Sequence, residues 1–207
     1  MSTAKDLFIT VMDRRPDDPV GQGDLSLALA GAELIDLIGA GAAVVDGELV
    51  LPGEDPKPYD RVLDEAAAGL VREAPHERIE DWLWRRGQGL AAGYQAALEE
   101  DGELARERGG RLFFGTKRVT PADTPARRSA ADRWNEREPV LLALASALGV
   151  DAAEPDGAEP RNEPDLGADE ATTAVVAAVL DALMELEAVR QRRSIENAAF
   201  ANVWRGP

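Results

Sequence analysis

Cysteine is absent from the 207 residues, so there is no disulfide framework, no thiolate nucleophile and no cysteine-based zinc site. Histidine occurs once, as His76, and any imidazole chemistry would have to use it. Lysine is restricted to Lys5, Lys57 and Lys117, so positive charge is almost all arginine. Positive charge is itself scarce: 23 basic residues face 39 acidic ones, a net charge of -16. Such a chain is repelled by nucleic acid and by a bulk anionic bilayer unless cations gather locally. No nucleic-acid partner is expected. Long apolar runs are missing too. The longest, Ala174–Leu180, falls far short of the ~20 residues that span a bilayer. Residues 1–6 carry no signal-peptide apolar region, and no lipidation motif occurs. The expectation is a cytoplasmic protein that meets a membrane, if at all, peripherally on its inner face.

What the chain does have is a stretch apolar on nearly every face, Leu25 to Ile38, followed by Ala43–Leu51 with Asp46-Gly47 between two Val/Leu runs. The first reads as a helix inside a bundle, with Asp24 as its N-cap. The second reads as a hairpin turning at Asp46-Gly47, since a type I′ turn needs positive φ at both central residues. Residues 4–12 are a short apolar opening, helix or strand, before a loop at Pro16 and Pro19. Further helices are expected at 59–73, from Pro75 to about 100, at 125–136, at 139–149 and at 170–193. A second hairpin is expected at 103–120, turning at Gly109-Gly110, with Leu112-Phe113-Phe114 in its return strand. Segment 151–170 holds eight acids, one arginine and three prolines, the composition of a mobile loop. The fold class is mainly α: one domain, 1–207, a helical bundle with two β-hairpins.

Catalytic patterns fail on inspection. His76-Glu77-Arg78-Ile79-Glu80 has Glu where H-E-x-x-H needs its second imidazole. No G-x-S-x-G elbow occurs, and Gly39-Ala40-Gly41 lacks the third glycine of a dinucleotide fingerprint. The acids of 151–170 lack EF-hand spacing, while Asp64-Glu65 and Glu99-Glu100-Asp101 are helix neighbours whose side chains diverge. No catalytic residue, metal site or cofactor is expected.

Charge reverses sign between Arg106 and Arg133, where eight cations, among them Arg111, Lys117, Arg118, Arg127 and Arg128, face Glu107, Asp123 and Asp132. Convergent arginine forks suit phosphate, and Phe113 or Phe114 beside them would be an interfacial anchor. The same cations could instead neutralise the protein's own acids while the two phenylalanines pack in the core or an oligomer interface. Arg85 and Arg86 beside Trp82 and Trp84, together with Arg14 and Arg15, form a second set of anion-binding candidates.

A series of short markers runs in order along the chain: Leu29-Ala30-Gly31 with Leu34-Ile35-Asp36-Leu37, Leu63-Asp64-Glu65-Ala66, Ile79-Glu80-Asp81-Trp82, Leu98 to Leu104, Arg111-Leu112-Phe113-Phe114 before Pro121, and Leu141 to Leu144. In order and spacing, over about residues 5–150, it resembles the Golgi phosphoprotein 3 family. The resemblance implies a helical bundle with protruding hairpins and a non-enzymatic adaptor. The family's eukaryotic members recognise phosphatidylinositol 4-phosphate and hold glycosyltransferases by their cytoplasmic tails. It also implies self-association through a hairpin matching 103–120, with Leu112, Phe113 and Phe114. The headgroup ligands of the family, a Trp and three basic residues, fall by a gap-free match on Gly21, Ala30, Gln88 and Ala91. The abundance of Ala, Gly and Arg suggests a bacterial member of actinobacterial type. The expected function is a peripheral or cytosolic adaptor that binds anionic phospholipid or a protein partner and forms a homo-oligomer. A purely protein-binding scaffold and an enzyme or small-ligand protein on a reused scaffold are the alternatives.

Overall fold

The computed structural model describes residues 2–14, 19–54, 61–106, 119–150 and 169–203. Its first two elements are helices, α1 (Thr3–Arg14) and α2 (Gln22–Gly39). The opening segment is thus helical, which settles the choice left open by its sequence. Every residue of α2 from Leu25 to Leu34 is buried, as expected of a helix apolar on all faces. Its N-cap is Gly21, a correction to the expected Asp24, which lies inside the first turn. Asp36 of α2 caps α1 in turn: its carboxylate accepts the N–H groups of Thr3 (2.8 Å) and Ala4 (3.2 Å) and the Ser2 hydroxyl (2.9 Å).

The strands β1 (Ala43–Asp46) and β2 (Leu49–Pro52) form the first hairpin, with Asp46 opposite Leu49. The turn is therefore Gly47-Glu48, one residue later than expected. Positive φ falls on Gly47 alone (59°), the pattern of a type II′ turn and not of I′. Helix α3 (Arg61–Ala68) is shorter than the expected 59–73. It stops where the Gly69 N–H closes the last turn on Glu65 and Ala66, while the Gly69 carbonyl accepts from Arg85 at 3.1 Å.

The helix expected from Pro75 to about 100 is three elements. Glu77–Arg78 forms β3, pairing with β2 as a third strand; α4 (Ile79–Arg86) and α5 (Leu90–Glu100) follow, broken at Gly87-Gln88-Gly89. Gly89 has φ 71°, which ends one helix and turns the chain into the next. The strands β4 (Leu104–Arg106) and β5 (Val119–Pro121) pair as the base of the second hairpin. Its expected tip, with Arg111, Leu112, Phe113, Phe114, Lys117 and Arg118, lies outside the described residues, as does Arg15.

The helices α6 (Pro125–Asn135) and α7 (Pro139–Ala147) start as proline at N1 directs, Thr124 and Glu138 accepting N–H groups of their first turns. The last helix, α8 (Glu170–Val203), runs beyond the expected 193. Segment 151–168 is outside the described residues. Asp169 belongs to the structure as a cap, accepting the Thr172 N–H at 2.8 Å, and Glu170 already begins α8. One core joins Leu7 and Phe8 of α1, Leu29 and Leu34 of α2, Trp82 and Leu83 of α4, Leu144 of α7, and Val175 and Val179 of α8. Among the described residues no helix is long and apolar enough to cross a membrane.

Candidate functional site

The chain breaks from α4 to α5 directly over the N-terminal half of α2. A Cβ at Gly87 would stand 2.6 Å from the Leu83 carbonyl and 3.4 Å from that of Ser26, so glycine lets the break lie this close. The Ala91 N–H donates to Ser26 Oγ (3.0 Å), and Trp82 Nε1 donates to the Ala30 carbonyl (3.1 Å). Beneath this lies a charge that the sequence reading missed. Glu33, fully buried, takes a two-pronged bond from Arg86 (2.7 and 2.9 Å) and one from the Tyr94 hydroxyl (3.1 Å). Burial pushes the Glu33 carboxyl above its ordinary value, while the Arg86 bond and charge and the Tyr94 hydroxyl pull it back. Burial works against the Arg86 cation too, yet Glu33 holds it above its ordinary value. The two-pronged geometry is that of an ionised pair, and we assign it so. A Glu in an otherwise apolar helix was the available signal.

Those candidate cations that lie among the described residues are engaged within the molecule. Arg85 forks onto Glu77 (2.6 and 2.7 Å) and lies over the Trp82 ring; Glu77 raises its pKa against a weaker effect of burial. Arg127 forks onto Asp13 of α1 at 2.8 Å, which raises its pKa, and Arg128 pairs with Asp123 at 3.0 Å. Arg14 stacks on Trp134, 4.4 Å from the ring centroid. Arg133 binds Asp6 (2.6 Å) and Glu138 (3.1 Å). Burial raises the Asp6 carboxyl, with Arg133 opposing. Of the two tryptophans beside Arg85 and Arg86, Trp82 is fully buried and Trp84 is partly buried against the core. Among the described residues, Arg127, Arg128 and Arg133 thus tie α6 to α1 and to the adjoining turns.

The His76 Nδ1 stands 3.4 Å from the Val71 carbonyl. Among the described residues, no group of three or more His, Asp or Glu is placed to hold a metal ion.

The family model for Golgi phosphoprotein 3 (GPP34) matches residues 4–191. The chain belongs to the Golgi phosphoprotein 3 family. Among curated proteins the comparison finds no match.

Of the four positions carried over from the Golgi phosphoprotein 3 resemblance, Ala30 lies within α2, and the Ala91 N–H donates to Ser26 of α2. Ala30 and Ala91 are buried, Gln88 is exposed in the α4–α5 break, and Gly21 caps α2. Beside Gln88, a groove of about 400 Å³ between α3 and α5 includes Arg61, Arg86 and Tyr94. Its cations are occupied, Arg86 by Glu33 and Arg61 by Glu100 at 3.0 Å. At Gly21, Asp24 folds back so closely that any Cβ would strike its carboxylate, and Arg190 of α8 holds that carboxylate at 2.8 Å. A large side chain at position 21 would have to displace Asp24. Within this member of the family, the chain's own carboxylates answer the cations around α2.

Proposed function

We propose that this chain is a non-catalytic adaptor that uses the Golgi phosphoprotein 3 scaffold to dock a protein partner, with headgroup recognition given up. One observation carries the reading: the four positions matched to the family's headgroup ligands are Gly21, Ala30, Gln88 and Ala91, without a cation among them, while Arg86 in the groove beside Gln88 is held by the buried Glu33 and Arg190 beside Gly21 is held by Asp24. A headgroup phosphate needs convergent charge-assisted donors, and removing every one removes the basis for choosing among lipids. Family membership supports the adaptor class.

Co-sedimentation with neutral vesicles, anionic vesicles and vesicles bearing phosphatidylinositol 4-phosphate tests the proposal. The expected result is no preference for the phosphoinositide at physiological salt. Saturable binding that singles out that headgroup would overturn it. A second reading, a peripheral anionic-membrane adaptor, is favoured by the eight cations of 106–133. It requires salt-sensitive binding to any anionic vesicle, lost on charge reversal at Arg127 and Arg128.

A further inference from the structure

The outer face of α8 has no covering element among the described residues. Leu180, Met184 and Ile195 are 41%, 64% and 69% exposed, the last two among the most open large apolar side chains of the described chain. With Ala188 and Gln191 they follow steps of four, four, three and four residues, which places all five on one stripe of the helix. The stripe continues where α8 leaves the body: every side chain from Arg190 to Asn197 is exposed. The family match ends at residue 191, while the helix continues to Val203.

On one flank of the stripe the charges are divided along its length, while on the other flank Glu187 is paired with Arg190 of the same helix at 3.7 Å. Asp181 and Glu185 lie on one flank of the first half, and Arg192 lies on the same flank three turns later. An arrangement with acid at one end and base at the other is complementary to itself when reversed. A two-fold antiparallel crossing between Glu187 and Ala188 sets Leu180 against Ile195 and Met184 against Gln191. It also brings Asp181 and Glu185 within reach of Arg192 on the second copy. The alanine at the crossing lets the two helices approach closely. A bilayer surface suits this face poorly, because acids edge the apolar residues on the body of the protein.

We infer that α8 is a self-association surface on which two copies of this chain pair antiparallel through Leu180, Met184, Ala188 and Ile195. This interface is separate from the hairpin at 103–120.

Sedimentation of the full chain over a concentration series tests the pairing. A monomer–dimer equilibrium is expected. Leu180→Glu with Ile195→Glu raises the dimer dissociation constant by about tenfold or more, with unchanged circular dichroism because both sites are exposed. Arg192→Glu weakens the dimer, and adding Asp181→Arg with Glu185→Arg restores it. Because the chain has no cysteine, Ala188→Cys gives a single thiol. Oxidation then yields a covalent dimer, whereas Ala92→Cys on the exposed side of α5 yields none. A chain that stays monomeric at all concentrations overturns the inference. So does a dimer that ignores these substitutions but requires residues 107–118, or a stripe that binds anionic vesicles while the protein remains monomeric.

Discussion

The two longest helices, α2 and α8, lie against each other and use apolar residues in opposite ways. In α2 the apolar residues go all round, and the charges they enclose, Glu33 and Asp36, are each met by several donors. In α8 one face reaches the core, through Val175, Val176, Val179 and Ala182 with Leu183 and Leu186 partly buried beside them, and the opposite face carries charge in the open. A charge deep in α2 is therefore part of the core's architecture, whereas most charges of α8 stand in the open, with Arg190 reaching Asp24 at the start of α2. The contrast separates stability from recognition within one pair of helices.

The largest expected break is at Glu33. Glu33→Ala strands the partly buried Arg86 and leaves Tyr94 without its acceptor, so urea unfolding is expected to show a loss of ~3–5 kcal/mol. Arg190→Ala, which opens an exposed pair on α8, is expected to cost ~0–1 kcal/mol in the same measurement. Equal losses would erase the contrast.

Next in size is the seam between the helices. A Cβ at Gly31 would run into Val179 Cγ2, and Val179 is fully buried. Gly31→Ala is expected to lower stability by ~1–3 kcal/mol in spite of alanine's better helix propensity. Adding Val179→Ala should cost less in that background than it does alone, which a double-mutant cycle reads directly.

The smallest effect is one of pH. Burial raises the Asp36 carboxyl above its ordinary 3.8, with the N–H groups of Thr3 and Ala4 and the hydroxyls of Thr3 and Ser2 opposing. The folded state then holds a proton that the unfolded chain has already released. The associated stability is complete below the unfolded pKa and is lost as pH rises through the folded one. The advantage of the native protein over Asp36→Asn is thus expected to be greater at about pH 4 than at about pH 7. Paired denaturation curves at the two values check the sign.

Local chemistry made some of this legible in the sequence. Leu25–Leu34 could only be a central helix, and proline placed at N1 announced α6 and α7. Other features were local but ambiguous: Gly21 and Asp24 both suit a helix start, and Asp46-Gly47 suits two turns that differ by one residue. The strand at Glu77–Arg78 exists only because β2 lies beside it, so no pattern within two residues could reveal it. The same reason hid the site. Arg127 meets Asp13 and Arg133 meets Asp6 across more than a hundred residues, so counting charge within 106–133 could not show that these two arginines are held in ion pairs.

The carboxylate of Asp36 also changes what the beginning of α1 can report. Amides in the first turn of a helix ordinarily exchange with solvent quickly, because no preceding carbonyl accepts them. Those of Thr3 and Ala4 are instead fastened to the last turn of the buried helix α2. Deuterium should therefore enter them only when α1 and α2 separate. Two amides beside the chain terminus thereby become slow clocks for opening of the core.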